Sequence, residues 1–387
     1  MSEREAVATL PLLSLRRSLG RMEVWWVVAF FSCYFLAWTL LPLLTGSEVP
    51  GDNIEQLRWA TEPAWGYDKH PPWPTIVLWL LEHVLPTGAP LTYFLGAVQA
   101  ALLGIGAALV ARDTLPWPAK WLAPLLITCI SYYTFRMHYY NHNTALMVAY
   151  AGALYCCSRI RSTWQMRWWV ALGICWGLGI LSKYQMAVPI ACNLAFFWTV
   201  REGRLRSIVA GVLVTSLVAS VILAPHAVWL INNGFPSFEY AATRLGAELS
   251  LLERIDDIFR FLTHQMLRLA PILVFLGLLK WGSRTNRPAG PDVNLPTADP
   301  EVRRFYAIHF WGPFVAMVML CAMLSTDLQS HWGTAFLWVL PLYLLATPFG
   351  ARLTASPLPL VLRSMALVQV LSAVSFASGK FGGGFGG

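Results

Sequence analysis

The sequence predicts an all-α polytopic membrane protein, and three observations predict it. Of 387 residues, 57% are hydrophobic and only 12% charged, against about 45–50% apolar and about 25% charged in soluble domains. Apolar stretches near the ~20 residues that cross a bilayer recur along the whole chain. Nineteen Trp, twenty Phe and thirteen Tyr supply the aromatics that membrane proteins use as interfacial belts. This balance excludes a soluble enzyme, a disordered chain and a nucleic-acid module. The net charge of +8 then reads as basic cytoplasmic loops.

In chain order the candidate spans fall at 24–45, 91–111, 121–137, 142–158, 168–182, 184–200, 207–229, 262–281, 305–325, 332–349 and 356–377, about eleven transmembrane helices. Pro74–Leu85 is set apart, because it is short and carries Glu82 and His83; it reads as a juxtamembrane or re-entrant helix. With the N-terminus cytoplasmic, the inside segments hold 19 of the 28 Lys and Arg, among them Arg16, Arg17, Arg21, Arg159, Arg161, Arg167, Arg284, Arg287, Arg303 and Arg304. Counting 74–85 as a span would put 159–168 outside, against the positive-inside rule.

The chain reads as one membrane domain over 1–380, followed by a flexible Gly-rich tail at 381–387. The basic N-terminus runs into apolar residues without a cleavage site, as an uncleaved signal-anchor does. Two outer loops, 46–90 and 230–261, are rich in Trp, Phe and Pro and predict amphipathic helices on the outer surface. The stretch 283–302 reads as a cytoplasmic linker. All seven cysteines lie in apolar stretches and are expected as buried thiols.

The polar weight lies in the first outer loop. Asp52 and Glu55, followed by Ile54, Leu57 and Ala60 at helical spacing, predict a helix with Asp52 as N-cap and Glu55 as capping-box partner. A carboxylate at a helix N-terminus stays ionised, and an ionised carboxylate can act as a base. Further on, Gly66-Tyr67-Asp68-Lys69-His70-Pro71-Pro72 packs three titratable groups between a glycine and two prolines. Lys183 ends an apolar span, where a charge is expensive; it is either functional or a snorkelling anchor.

Asp52, then Trp65-Gly66-Tyr67 and His70-Pro71-Pro72, resembles the bacterial branch of the protein-mannosyltransferase-like enzymes, glycosyltransferase family 39, which have the GT-C fold and count lipid A aminoarabinose transferases as relatives. Gly177-Leu178-Gly179-Ile180-Leu181-Ser182-Lys183-Tyr184 is similar to the family's glycine-rich span. Pro225-His226-Ala227-Val228-Trp229 with Phe235-Pro236-Ser237-Phe238 resembles its second outer loop, and His331-Trp332 the start of a late span. There are departures. Asp52-Asn53 stands where the family often has an acidic pair, and Asn141-His142-Asn143-Thr144 where it often has an Asp. The soluble C-terminal domain of some relatives is absent from this sequence.

The resemblance implies an inverting hexosyl- or pentosyltransferase of the bacterial inner membrane, with its site on the extracytoplasmic side. It would move a sugar from a polyprenyl-phosphate donor to lipid A, a glycolipid, a polysaccharide or a protein. Asp52 would be the base, with Glu55, Tyr67 and His70 in support. Lys69, Lys183, Tyr184 and His331 would bind the donor phosphate, with His70 a further candidate. Arg244, Arg254, Arg260, His264 and Arg268, beside Glu239, Glu248, Glu253, Asp256 and Asp257, read mainly as surface ion pairs, with one or two arginines left as phosphate clamps. No cofactor is required, although His138 and His142 with Asp52 or Glu55 leave a divalent metal open. The alternatives are a secondary transporter or lipid flippase, which would carry midplane charges and repeats, and a non-catalytic scaffold.

Overall fold

The computed structural model describes residues 29–46, 48–116, 119–243, 250–285, 297–324, 328–353 and 358–378. The basic N-terminus, most of the 283–302 linker and the Gly-rich tail lie outside them. Among the described residues every regular element is helical: α1 (Ala29–Leu44), α2 (Gly51–Ala60), α3 (Trp73–Glu82), α4 (Ala89–Thr114), α5 (Ala119–Ile127), α6 (Tyr132–Phe135), α7 (His142–Thr163), α8 (Met166–Ser182), α9 (Ala187–Thr199), α10 (Leu205–Asn232), α11 (Pro236–Ala242), α12 (Leu251–Arg268), α13 (Ala270–Thr285), α14 (Pro300–Leu324), α15 (Val339–Ala346), α16 (Pro348–Leu353) and α17 (Leu358–Ala377). Two 3-10 turns, Tyr184–Met186 and Ser330–Phe336, interrupt the later part of the chain.

Among the described residues four helices are long and apolar enough to cross a membrane: α4, α10, and most of α14 and α17. The count is five if α12 and α13, bent by 46° at their junction, form one span. Eleven spans were expected; Ala29–Leu44 and Met166–Ser182 are apolar but shorter helices, and three of the expected stretches are broken. The stretch 121–137 is split into α5 and α6, 184–200 into a 3-10 turn and α9, and 332–349 into a 3-10 turn and two short helices. Irregular backbone at such depth is tolerated only where it is buried in protein or lines a cavity. The breaks at Lys183 and His331 do line one.

The core sits where α4, α5, α7, α8, α9, α14 and α15 meet, around fully buried Trp169, Trp338, Tyr150, Phe196, Phe305 and Phe336. Gly173 lets α8 approach α10, since a Cβ there would stand 2.6 Å from the Thr215 carbonyl oxygen. The opposite face of α10 exposes Leu213, Leu217, Val221 and Ile231, a surface suited to lipid tails. In α12 the buried face carries Asp257, Phe261 and Gln265 while Leu251, Leu252, Ile255, Phe259 and Met266 are exposed. Its apolar side faces outward, as in a helix lying in lipid. Five cysteines are buried, Cys175 is half-buried and Cys33 is exposed, so Cys33 departs from the expectation of buried thiols.

The two ends of the bundle are chemically different. His142 opens α7 and Arg161 lies near its far end; at 1.5 Å per residue they are about 29 Å apart, close to the thickness of a hydrocarbon core. The far end holds ion pairs: Arg112 and Arg159 on Asp113, at 2.9 and 3.1 Å, and Arg161 on Asp299 and Glu301. The near end holds a chamber.

Candidate active site

The first loop is fixed to the bundle by the buried face of α2. Asn53 donates to Thr92 Oγ1 and to the His138 carbonyl, both at 2.9 Å, and its Oδ1 accepts from the Tyr140 amide. Gln56 accepts from Thr75 Oγ1 at 2.8 Å, and its amide nitrogen lies 3.4 Å from His142 Nδ1. Asp52 and Glu55, on the other face, are left to line the chamber. Asp52 does not cap its helix: the cap position is Pro50, which makes no side-chain bond. Proline already fixes the extended backbone needed there, and Asp52 Oδ2 is free to accept from Asn141 Nδ2 at 2.6 Å.

The rest of the loop folds on aromatic contacts. Tyr67 stacks on Trp59 with ring centroids 4.5 Å apart, its hydroxyl donates to the Trp59 carbonyl, and its own carbonyl accepts from Ser237. Gly66 is required by the approach of α10, since a Cβ there would stand 2.3 Å from the Trp229 ring. Tyr67 therefore shapes the loop and does not line the chamber, contrary to the supporting role expected of it.

The chamber has a volume of about 680 Å3. Asp52, Glu55, Lys69 and His70 come from the first loop, Arg136, Tyr139 and Asn141 from the joint before α7, and His142 and Asn143 from its first turn. Lys183–Gln185 contribute from the break after α8, Ser237 and Tyr240 from α11, and His331 and Trp332 from the late 3-10 turn, with Gln329 just before it. Gln185 donates to the Trp332 carbonyl at 2.8 Å, which ties the last two breaks together. Seven of the eight expected site residues thus share one cavity, Tyr67 being the exception. Tyr184 lines it with its hydroxyl already engaged: His226 Nδ1 faces the Trp65 carbonyl at 2.5 Å and so donates to it, leaving Nε2 to accept from Tyr184 at 2.8 Å.

The electrostatics favour an anionic ligand. Lys183, in the extended joint between α8 and the 3-10 turn, reaches Asn143 Oδ1 at 2.7 Å. Burial lowers its ammonium to about 8, against the pull of Asp52 and with the push of Lys69. Lys69 bonds Glu55 at 2.9 Å. Burial lowers the Lys69 ammonium, but the Glu55 contact outweighs it and the net shift is upward. Burial also raises the Glu55 carboxyl, and Lys69 only partly offsets this. His70 is held well below its ordinary value by burial and by His142, Lys183, Lys69 and His331. Burial, then Lys183, Arg268, Arg136 and Lys69, push His331 down to about 3. Both imidazoles are neutral at physiological pH and can donate or accept without adding charge.

The segment that reads as a departure from the family, Asn141-His142-Asn143-Thr144, is central here. Asn141 caps α7 through a reciprocal capping box with Thr144 while its Nδ2 holds Asp52; Asn143 holds Lys183. Sequence reasoning also missed Arg136, which ends the apolar stretch 121–137, the same signal that singled out Lys183. His138 does not reach the chamber, since it packs against Tyr93 and Phe376. The metal-type cluster is instead Glu55, His70 and His142, whose ligand atoms lie within 4.8 Å of one another. Of the second-loop arginines, Arg254 donates to the Ala322 carbonyl and Arg260 pairs with Asp257; Arg244 and Glu248 lie outside the described residues. Arg268, with His264 and Arg136, opens onto a second, largely apolar cleft of about 270 Å3 between α6, the α12–α13 bend and α17. Tyr132 and Arg136 border both cavities.

Both the sequence and the fold are similar to those of known proteins. Residues 69–229 match the model of the dolichyl-phosphate-mannose-protein mannosyltransferase family. Two lipopolysaccharide core galacturonosyltransferases of Rhizobium johnstonii, RgtA and RgtB, are each 25% identical over 84% of the chain. The chain spans 65% of the length of each. Among solved structures, ArnT from Cupriavidus metallidurans bound to undecaprenyl phosphate superposes with a TM-score of 0.64 at 15% identity, covering 90% of this chain and 63% of that one. The Archaeoglobus fulgidus oligosaccharyltransferase superposes at 0.50, also at 15% identity, over 92% of this chain and 56% of that one. The chain is a multi-pass helical membrane protein with the GT-C fold seen in ArnT, and its sequence is similar to those of membrane glycosyltransferases.

Proposed function

We propose that the chain is an inverting membrane glycosyltransferase that uses a polyprenyl-phosphate-linked sugar. One observation carries the reading: Asp52 and two lysines face a single chamber, and Asp52 is held by an amide that leaves its charge in place. The acceptor hydroxyl gives its proton to Asp52 as its oxygen bonds to the anomeric carbon. The bond from that carbon to the phosphate oxygen breaks on the opposite face, and the electron pair leaves with the phosphate. Lys183 and Lys69 stabilise the charge that develops there. A lipid phosphate is a good leaving group, so no acid is needed. The neutral His70 and His331 can donate hydrogen bonds to its oxygens.

The chamber faces the extracytoplasmic side of a bacterial inner membrane, with the N-terminus cytoplasmic. The arginine-rich far end of the bundle supports this orientation through the positive-inside rule. Donor and acceptor are both taken from that side, the acceptor being a glycan, glycolipid or protein. The likeness to RgtA and RgtB favours an envelope saccharide over a protein.

The test is transfer by the purified chain in vesicles supplied with undecaprenyl-phosphate-linked sugars and envelope glycolipid, read by mass spectrometry. A sugar-sized mass gain with the wild type, absent with Asp52→Asn, is expected. An Asp52→Asn protein that binds donor and transfers at the wild-type rate would overturn the mechanism. The orientation is tested separately by Glu62→Cys in a background lacking Cys33. Labelling of residue 62 by an impermeant reagent in intact cells is expected, and labelling only after permeabilisation would reverse the topology.

A further inference from the structure

We propose that the second cleft, between α6, the α12–α13 bend and α17, holds an anionic phospholipid, with its phosphate on Arg268 and an acyl chain between α13 and α17. The lipid is not a substrate, and its site does not depend on the transfer reaction.

The cleft is amphipathic. Leu267, Val274 and Leu371 stand at its edge and are exposed, so it opens sideways to the lipid around the bundle. Phe135, Pro271 and Val368 continue the apolar lining. Its charges are grouped: Arg268 is felt by His264 on one side and feels Arg136 on the other. A cluster of cations in an apolar slot between membrane helices matches a lipid with an anionic headgroup.

The second observation is the state of Arg268. Its Nη2 donates to Ser330 Oγ at 3.3 Å. Its Nη1 is shut off from solvent with no hydrogen-bond partner, and so is His264 Nδ1. The groups that act on this guanidinium most strongly are Arg136, a second cation, and the hydroxyls of Tyr132 and Tyr133, none of them a carboxylate. At the far end of the bundle, by contrast, Arg159 and Arg161 have their acids. A charge held among apolar side chains is costly until something pairs with it. A phosphodiester supplies oxygens for Nη1 and a negative charge beside two guanidiniums.

Three features select the occupant. Tyr132 and Arg136 border both cavities, so a phosphate on Arg268 lies on the other side of them from Asp52 and Lys183. At about 270 Å3 against about 680 Å3, the cleft has less than half the volume of the chamber, which suits a chain and a small headgroup and not a glycan. Neighbouring guanidiniums repel the ammonium of a zwitterionic headgroup and favour a net anion. The acyl chain gains little by leaving one apolar medium for another; the selectivity lies in the headgroup.

The lipid also bears on the chamber. Ser330 opens the 3-10 turn that brings His331 and Trp332 into it. Arg268 holds the Ser330 hydroxyl, and Gln265 donates to the Ser330 carbonyl at 2.8 Å. A phosphate that fixes Arg268 therefore steadies that turn.

The experiment strips the full chain of lipid in detergent and measures added phosphatidylglycerol by native mass spectrometry. One phosphatidylglycerol per chain is expected, bound about tenfold or more tightly than phosphatidylethanolamine or inorganic phosphate, and it should raise the melting temperature. Arg268→Gln should weaken it about tenfold or more, while undecaprenyl phosphate binds within about threefold of wild type. The fold is kept, because the Arg268 carbonyl still accepts from the Ser131 amide and hydroxyl. Val274→Trp, at the exposed edge, should block the cleft and weaken the lipid with every cation in place. Asp52→Asn and Lys183→Met should bind it as the wild type does. Equal binding of phosphatidylethanolamine or inorganic phosphate, or a phosphatidylglycerol indifferent to Arg268→Gln or to Val274→Trp, overturns the site. Undecaprenyl phosphate that displaces phosphatidylglycerol and is itself weakened by Arg268→Gln assigns the cleft to the donor and overturns it too. A chain that binds phosphatidylglycerol as expected yet transfers no sugar upholds the lipid site and counts against the transferase reading alone.

Discussion

The two ends of α7 carry the same kinds of charge in opposite arrangements. At the far end the arginines meet carboxylates: Asp113 is 12% exposed and takes both Arg112 and Arg159, and Arg161 reaches two acids. At the chamber end Lys69 also pairs with Glu55, but the charges of Asp52 and Lys183 meet the amides of Asn141 and Asn143. An ion pair neutralises its members and holds helices together. An amide positions a charge without neutralising it. The far end is therefore built for assembly and the chamber end for a ligand, and this contrast separates the residues that fold the protein from those that act.

The sharpest way to break the contrast is Asp52→Asn. The substitution keeps the size of the side chain and cannot remove a helix cap, because Asp52 is not one. Turnover is expected to fall by about 10²–10⁴-fold, the usual contribution of a positioned base, with thermal stability within about 1 kcal/mol of wild type. Calorimetry beside the transfer assay checks both. A stability loss equal to that of a far-end ion-pair variant would mean that the chamber end is structural too.

Lys183→Met comes next. It removes a cation whose ammonium bonds the Asn143 amide oxygen, so donor affinity should fall about 10–100-fold, in the range of a charged hydrogen bond worth roughly 1.5–3 kcal/mol. The same group predicts a pH dependence. Only the protonated amine attracts phosphate, and burial holds Lys183 at about 8. Donor affinity should be flat below pH 8 and fall above it, approaching tenfold per unit. Lys183→Arg should flatten that fall, since a guanidinium stays charged throughout. A profile flat to pH 10 in the wild type would remove Lys183 from the phosphate site.

Much of the chamber end was legible in the sequence, for a physical reason. Lys183 stood out because a charge at the end of an apolar span is costly, and Asp52, Lys69 and His70 because they crowd one loop. The roles of Asn141 and Asn143 were not legible, because an uncharged amide gives no such signal and its partner lies 89 residues away in one case and 40 in the other. His138 and His142 looked equivalent four residues apart. The joint before α7 turns one toward Phe376 and the other toward His70. Tyr67 took its supporting role from the family resemblance, yet its hydroxyl is spent inside its own loop. The breaks within the expected spans 184–200 and 332–349 were not legible either, and they are where polar residues of the chamber enter.

The far end supplies the converse test. Asp113→Asn leaves Arg112 and Arg159 without their carboxylate and should lower stability by about 1–3 kcal/mol. Transfer per folded molecule should stay within twofold of wild type. A tenfold loss of turnover in protein that is still folded would mean the two ends are coupled.

The smallest effect is expected of Tyr184→Phe, and it bears directly on what lines the chamber. The Tyr184 ring faces the cavity, and the family resemblance assigns it to the donor phosphate. Its hydroxyl, however, donates to His226 Nε2, and His226 Nδ1 donates to the Trp65 carbonyl. This chain ties the break after α8 to α10 and to the first loop. Phe keeps the ring and removes one neutral hydrogen bond, worth about 0.5–1.5 kcal/mol, and it leaves His226 held by Trp65. Stability should drop by that amount, while donor affinity changes less than threefold and the pH profile set by Lys183 is retained. A donor-affinity loss as large as that of Lys183→Met, with little change in stability, would mean that the hydroxyl leaves His226 for the phosphate when the donor binds. Tyr184 would then belong with Lys183 among the groups held ready for a ligand.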